Sequence, residues 1–170
     1  MKKYELTGEV KVKFGVTFKR IRALIDFGNV KKGELGGFIE KEENLSHENN
    51  AWVYDDAWVS GNAEVYDDSW VYGNAWVYGD AWVYGNAEVS GNAEVSGNAD
   101  YVLIGRVGSR FGFTTFFRNK NNEIYVSCGC FLGTLAKFRK KVKETHGTDT
   151  KYAKVYQAAA DLAEMQILNK

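Results

Sequence analysis

Between residues 51 and 99 a valine returns at every sixth position: Val53, Val59, Val65, Val71, Val77, Val83, Val89 and Val95. Four residues after each stands a small side chain, alanine everywhere except Ser69. Between the two lies an Asp-Asp, Gly-Asn or Gly-Asp pair. A helix needs a 3.6-residue period and does not tolerate this density of Gly and Asn. A hairpin meander needs longer strands than the few residues each repeat provides. Each hexad therefore reads as one short flat strand and one corner, with three hexads closing a triangular coil. Valine points into the prism and the small residue packs under the corner. The corner Asn or Asp is expected to take the left-handed backbone conformation. Coils stack roughly 4.8 Å apart through backbone hydrogen bonds.

The expected fold is mainly β: a left-handed parallel β-helix with an N-terminal β cap and a small C-terminal ββαα unit. Residues 1–34 form the cap, since open coil ends leave backbone groups unpaired. Residues 35–103 form the β-helix, with 35–52 as a degenerate first coil. In it Leu35, Ile39 and Leu45 face inward, while Lys41 and His47 fit the valine site poorly. Residues 104–170 hold a hairpin around Asn119–Asn122 and two helices. The first helix turns Leu135, Phe138 and Val142 to one side and stops at Gly147. The second is expected to bury Tyr152, Tyr156, Ala159 and Leu162.

The residues flanking each valine face outward. Five tryptophans (52, 58, 70, 76 and 82) and five tyrosines (54, 66, 72, 78 and 84) occupy these places before Glu and Ser take over. This area exceeds the few hundred Å² that a soluble monomer ordinarily leaves open as one patch. A cap, a neighbouring subunit or a stacking ligand is expected to cover part of it.

Net charge is zero but segregated. Residues 1–34 carry nine Lys/Arg against four Asp/Glu, 35–104 one against thirteen, and 105–170 twelve against five. That pattern favours internal or subunit-to-subunit attraction and argues against long DNA or RNA. No secretory signal and no membrane-spanning run is visible, so a cytoplasmic setting is expected. Cys128 and Cys130 are too close for an ordinary staple and read as reduced, structural residues.

Chemistry-bearing residues are sparse. His47 and His146 are the only histidines; the first reads as structural or surface, the second as a helix C-terminal contact. No catalytic set, metal site or cofactor is expected. The segment from Gly105 to Arg118 offers backbone amides, hydroxyls and guanidiniums suited to phosphate, with Arg106, Ser109 and Arg110 foremost beside Thr114, Thr115 and Arg118.

The V-x-G-N-A-x repeat resembles the bacterial hexapeptide-repeat transferases. "GELGGFIEKEENLS" before the repeats and "CGCFLGTLAKF" after them are similar to small hexapeptide-repeat proteins of phages and prophages. The transferase resemblance implies acyl transfer with a histidine base near a subunit boundary. Against it stand the absence of proline, of a clear catalytic histidine and of a long insertion between coils. The first expectation is therefore a non-enzymatic, phage-type binding protein acting as a counter-defence factor. It would capture a small nucleotide signal or block a host defence protein. The alternatives are a hexapeptide-class acyltransferase and a structural or assembly protein. A homo-oligomer, a trimer by preference, is expected. Trp58, Trp76 and Tyr78 would stack a base while Arg106, Ser109 and Arg110 of another subunit hold its phosphate.

Overall fold

The computed structural model describes residues 1–168. The chain divides into two compact units, Met1–Asn98 and Ala99–Lys170.

The N-terminal unit is a three-sided parallel β-helix of about three turns. Its strands are β3 (Leu35–Ile39), β4 (Trp52–Val53), β5 (Trp58–Val59), β6 (Glu64–Val65), β7 (Trp70–Val71), β8 (Trp76–Val77), β9 (Trp82–Val83), β10 (Glu88–Val89) and β11 (Glu94–Val95). The first face stacks β3, β5, β8 and β11, the second β6 and β9, and the third β4, β7 and β10. All eight valines are fully buried, as are the alanines at 51, 57, 63, 75, 81 and 87. Backbone rungs join coils throughout, for example Tyr54 N–H to Val71 O at 2.8 Å and Trp70 N–H to Ala87 O at 2.9 Å.

The corners differ from expectation in one respect. At seven of the eight pairs the first residue is left-handed: Asp55 and Asp67, as expected of an Asp, but at Gly61, Gly73, Gly79, Gly85 and Gly91 the glycine and not the Asn or Asp that follows. Gly61 and Gly73 have φ of 68° and 73°, where glycine has no Cβ penalty. Asp55 and Asp67 adopt φ of 51° and 59°, and their carboxylates accept the Gly73 and Gly85 N–H of the next coil.

The first coil also departs from the strict register. Ile39 stacks on Val59 and Leu45 on Val65, whereas Val53 stacks on Val71. The first two offsets are twenty residues and the third eighteen, so the loop between Leu45 and Val53 contains two extra residues. Ile39 and Leu45 thus take the valine site itself, which frees Lys41 and His47 from it. Leu35, expected inward, is 50% exposed because it lies at the start of β3 opposite Arg22. Gly36 and Gly37 let β3 lie against the coil; a Cβ on either would run into the Val53 or Ala57 carbonyl.

Strands β1 (Tyr4–Lys13) and β2 (Val16–Ala23) form an antiparallel hairpin, and β2 continues the first face by pairing with β3. Its tip also reaches onto that face: Phe14 stacks on Trp76 at 5.1 Å and Phe18 meets Trp58 edge-on at 4.8 Å. Asn44, in a 3-10 turn at Glu42–Asn44, closes the coil end with its side chain. Its amide donates to Gly61 O at 3.2 Å and Ala63 O at 2.8 Å, and its oxygen accepts the Lys41 N–H at 3.0 Å.

The C-terminal unit holds a four-stranded antiparallel sheet, β12 (Tyr101–Val107), β13 (Gly112–Arg118), β14 (Ile124–Cys128) and β15 (Phe131–Thr134), with helices α1 (Leu135–His146) and α2 (Lys151–Leu168). Two strands, β12 and β15, therefore join the expected hairpin. Phe116, Val126, Leu135, Phe138, Tyr156, Ala160, Ala163 and Ile167 form its core. On α2, Tyr156 and Ala159 are buried as expected, but Tyr152 and Leu162 are exposed and Ala153, Ala160 and Ala163 complete the buried stripe. Thr134 caps α1, and Gly147 ends it with φ of 75°. No described helix is long and apolar enough to cross a membrane.

Candidate functional site

The three β-helix faces carry similar aromatics but meet different fates. On the first, Trp58 and Trp76 lie under the chain's own hairpin. The Lys13 ammonium sits 5.1 Å from the Trp58 ring and 5.0 Å from the Trp76 ring. Trp76 also donates its indole N–H to Ser60 Oγ at 3.1 Å, and Tyr78 leans on Trp76 at 4.4 Å. On the third face Trp52 is fully buried against Tyr4 and Phe27, and Trp70 meets Tyr54 edge-on. The second face is the most open. Trp82 and Tyr84 are 48% and 45% exposed, and Tyr66 stacks on Tyr84 at 5.4 Å with rings 13° from parallel. Glu64 stands directly above Trp82 in the β6–β9 ladder.

Above this face opens a cleft of about 520 Å³ whose walls include Glu42, Glu43, Ser46, His47, Glu64 and Tyr66. Lys2 pairs with Glu42 at 2.7 Å; Glu43 and Glu64 make no ion pair among the described residues. The negative surroundings show in Tyr66, whose hydroxyl pKa is raised by burial first and then by Tyr84, Asp67 and Glu64.

His47 is the one titratable group of this cleft suited to acid–base work near neutrality. The Lys3 backbone N–H donates to its Nδ1 at 3.2 Å, so the neutral ring carries its proton on Nε2. That nitrogen is buried, has no hydrogen-bond partner among the described residues and lies 3.9 Å from Glu42 Oε2. Burial lowers the His47 pKa, and Glu42 opposes the shift only in part. The ring also stacks on Tyr4 at 4.2 Å. A general base needs an accessible lone pair, and neither nitrogen offers one.

In the C-terminal unit, exposed Arg106 lies on β12 and exposed Ser109 and Arg110 in the turn that follows. The rest of that segment is used internally. Thr114 and Thr115 are buried in the sheet, and Arg118 pairs with buried Asp100 at 2.9 Å. The Thr114 hydroxyl donates to Cys128 Sγ at 3.1 Å. Tyr156 also meets Cys128, and its pKa is pushed up to about 12, chiefly by burial and then by the thiol, with Arg110 opposing. His146 stacks on Tyr156 at 5.8 Å, and Cys130 is exposed in the β14–β15 turn. Among the described residues, no three His, Cys, Asp or Glu side chains gather where they could hold a metal ion. The sequence-chosen residues thus divide into Trp58, Trp76 and Tyr78 in one unit and Arg106, Ser109 and Arg110 in the other. The Glu42–His47 cleft and the Tyr66–Trp82–Tyr84 face were not singled out. The signal for the face was present in the exposed Trp82-Val-Tyr84 hexad, but that for the cleft was not, because it depends on the two-residue insertion.

No family model matches the chain. Over 63 aligned residues it is 36% identical to "Uncharacterized acetyltransferase YdcK" of Escherichia coli (strain K12), covering 32% of this chain and 19% of that protein. The chain thus spans less than a fifth of that relative's length. This distant similarity and the observed fold together fit a hexapeptide-repeat β-helix.

Proposed function

We propose that the protein is a non-enzymatic binding protein whose β-helix presents the Tyr66–Trp82–Tyr84 face and adjoining acidic cleft as its recognition surface. The observation that carries this reading is the state of His47. One ring nitrogen is occupied by the Lys3 N–H and the other is buried with its proton. The histidine inside the cleft therefore serves to hold Lys3 and Tyr4 in place, and the half-exposed aromatic face beside it, with Trp82 foremost, is the surface for contact with a ligand.

A second reading, acyl transfer of the hexapeptide class, is favoured by the similarity to YdcK. The two are separated by incubating the full chain with acetyl-CoA and a panel of amine and hydroxyl acceptors, with His47→Ala alongside. The binding reading expects no thiol release above background and no difference between the variants. Turnover abolished by His47→Ala in a folded protein would overturn it.

A further inference from the structure

The first face shows, within this chain, what kind of segment satisfies an aromatic face of this β-helix. Lys11 and Lys13 from the end of β1, and Phe14 from the hairpin turn with φ of 51°, reach onto it. Lys13 lies between the Trp58 and Trp76 rings, Phe14 stacks parallel to Trp76 within 10°, and Lys11 pairs with Asp56 at 3.3 Å. Cation, ring and carboxylate are matched side by side. The second face repeats these elements: an aromatic ladder of Tyr66 and Tyr84, an indole at Trp82, and Glu64 where the first face has Trp58. Glu43 and Glu64 lack ion pairs among the described residues, and Lys2 is engaged by Glu42. Aromatic faces attract cations through their quadrupoles, and nearby carboxylates strengthen that attraction.

We infer that the Tyr66–Trp82–Tyr84 face and the cleft above it take a cationic segment of a partner protein, one with Lys or Arg beside an aromatic residue. The inference rests on the binding reading above and names its partner. A second copy of this chain fits less well. Its Lys11–Phe14 segment is already seated on its own first face, its Lys137–Lys143 run is helical and has Phe138 buried, and its exposed Arg110–Phe111 pair brings one cation beside the ring where Lys11–Phe14 brings two. Anionic ligands are disfavoured by Glu42, Glu43 and Glu64 lining the cleft.

The test uses the full chain and three labelled peptides: one repeating the Lys-Val-Lys-Phe quartet, one with Glu in place of Lys, and one with Ala in place of Phe. Anisotropy titrations at low and high salt are run on the wild type, Trp82→Ala, Glu64→Lys and, as a control on the third face, Tyr72→Ala. Circular dichroism confirms folding; Trp82 and Glu64 are exposed enough that neither change disturbs the prism. Expected are binding of the Lys/Phe peptide weakened by salt, and roughly five- to thirtyfold loss in Trp82→Ala and Glu64→Lys. The Glu peptide should not bind, the Ala peptide should bind more weakly, and Tyr72→Ala should match the wild type. Equal binding of the Glu peptide, or indifference to Trp82→Ala and Glu64→Lys, overturns the inference while leaving a binding protein with another ligand. Sedimentation showing self-association that Trp82→Ala abolishes overturns it in favour of a second copy. His47-dependent acyl transfer overturns the binding reading itself.

Discussion

Replacing Asn44 by alanine tests how the open end of the β-helix is sealed. The Asn44 side chain is fully buried and makes three hydrogen bonds, to the Ala63 and Gly61 carbonyls and from the Lys41 N–H. In the coils below, such a carbonyl is met by a backbone N–H; Trp58 N–H to Ala75 O at 2.9 Å is the equivalent rung. The alanine variant leaves the Ala63 oxygen buried without a donor, at a cost of about 1–3 kcal/mol. The Lys41 N–H and Gly61 O are only part-buried, so each contributes nearer the low end of that range. The expected loss is about 3 kcal/mol in total, with Asn44→Asp worse because a carboxylate then faces two carbonyls. All five tryptophans lie in the N-terminal unit, so tryptophan emission during urea unfolding reports that unit alone. With an m value of roughly 2 kcal/mol/M, the midpoint should fall by about 1.5 M at unchanged slope. A midpoint within 0.3 M of wild type (an effect of about 0.6 kcal/mol at that slope) would refute the sealing role.

Val71→Asp places an unpaired charge inside the prism and should abolish the cooperative tryptophan transition; unchanged melting would sink the valine register. Gly108→Ala should unfold the C-terminal unit, seen as lost helical ellipticity, because φ is +75° and the new methyl would strike the Tyr156 ring. Burial lowers the Lys3 ammonium from 10.5 to about 8, so its folded pKa lies below its unfolded one. Relative to Lys3→Met, wild-type stability should therefore rise as pH climbs from 7 to 10.5 and be lost as pH falls through 8; parallel pH profiles of the two midpoints would contradict this. Phe14→Ala uncovers Trp76 and should red-shift tryptophan emission, at a cost of about 0.5–1.5 kcal/mol to the hairpin contact.

The β-helix was legible because each inward valine repeats at a fixed interval with a small residue and a corner pair in fixed relation to it. The slip in the first coil was not, because Ser46–Asn50 is polar throughout and gives no periodicity by which to count two extra residues. Left-handed geometry falls on an Asp at Asp55 and Asp67, as expected; at Gly61 and Gly73 it falls on the glycine, which bears the lower conformational cost. In α2 Tyr156 and Ala159 were rightly placed inside, but the hydrophobic side chains Tyr152 and Leu162 drew the edges of the stripe too far round. Alanine permits closer packing, so Ala153, Ala160 and Ala163 mark the true inner face. Strand β12 was hidden by Gly105 and Arg106, which read as part of a phosphate-suited segment until its partner β13 is seen alongside. The cleft could not be inferred from composition, since Glu42, Ser46 and His47 come together with Tyr66 only through coil stacking.

The repeat also sets a rule for how this chain can change length. Removing or adding eighteen residues between Trp58 and Ala93 returns every later strand to the face it left, so Trp70 stays on the column of Trp52 and Tyr84 on that of Tyr66. A change of six residues keeps each valine inward but advances all later strands by one side of the triangle, bringing indoles under glutamates and dissolving the aromatic columns. The prism interior accepts any multiple of six, while the pattern painted on its exterior accepts only multiples of eighteen. Length variants with intact folding and altered recognition are thus encoded in the same periodicity, and the two properties separate at the first hexad gained or lost.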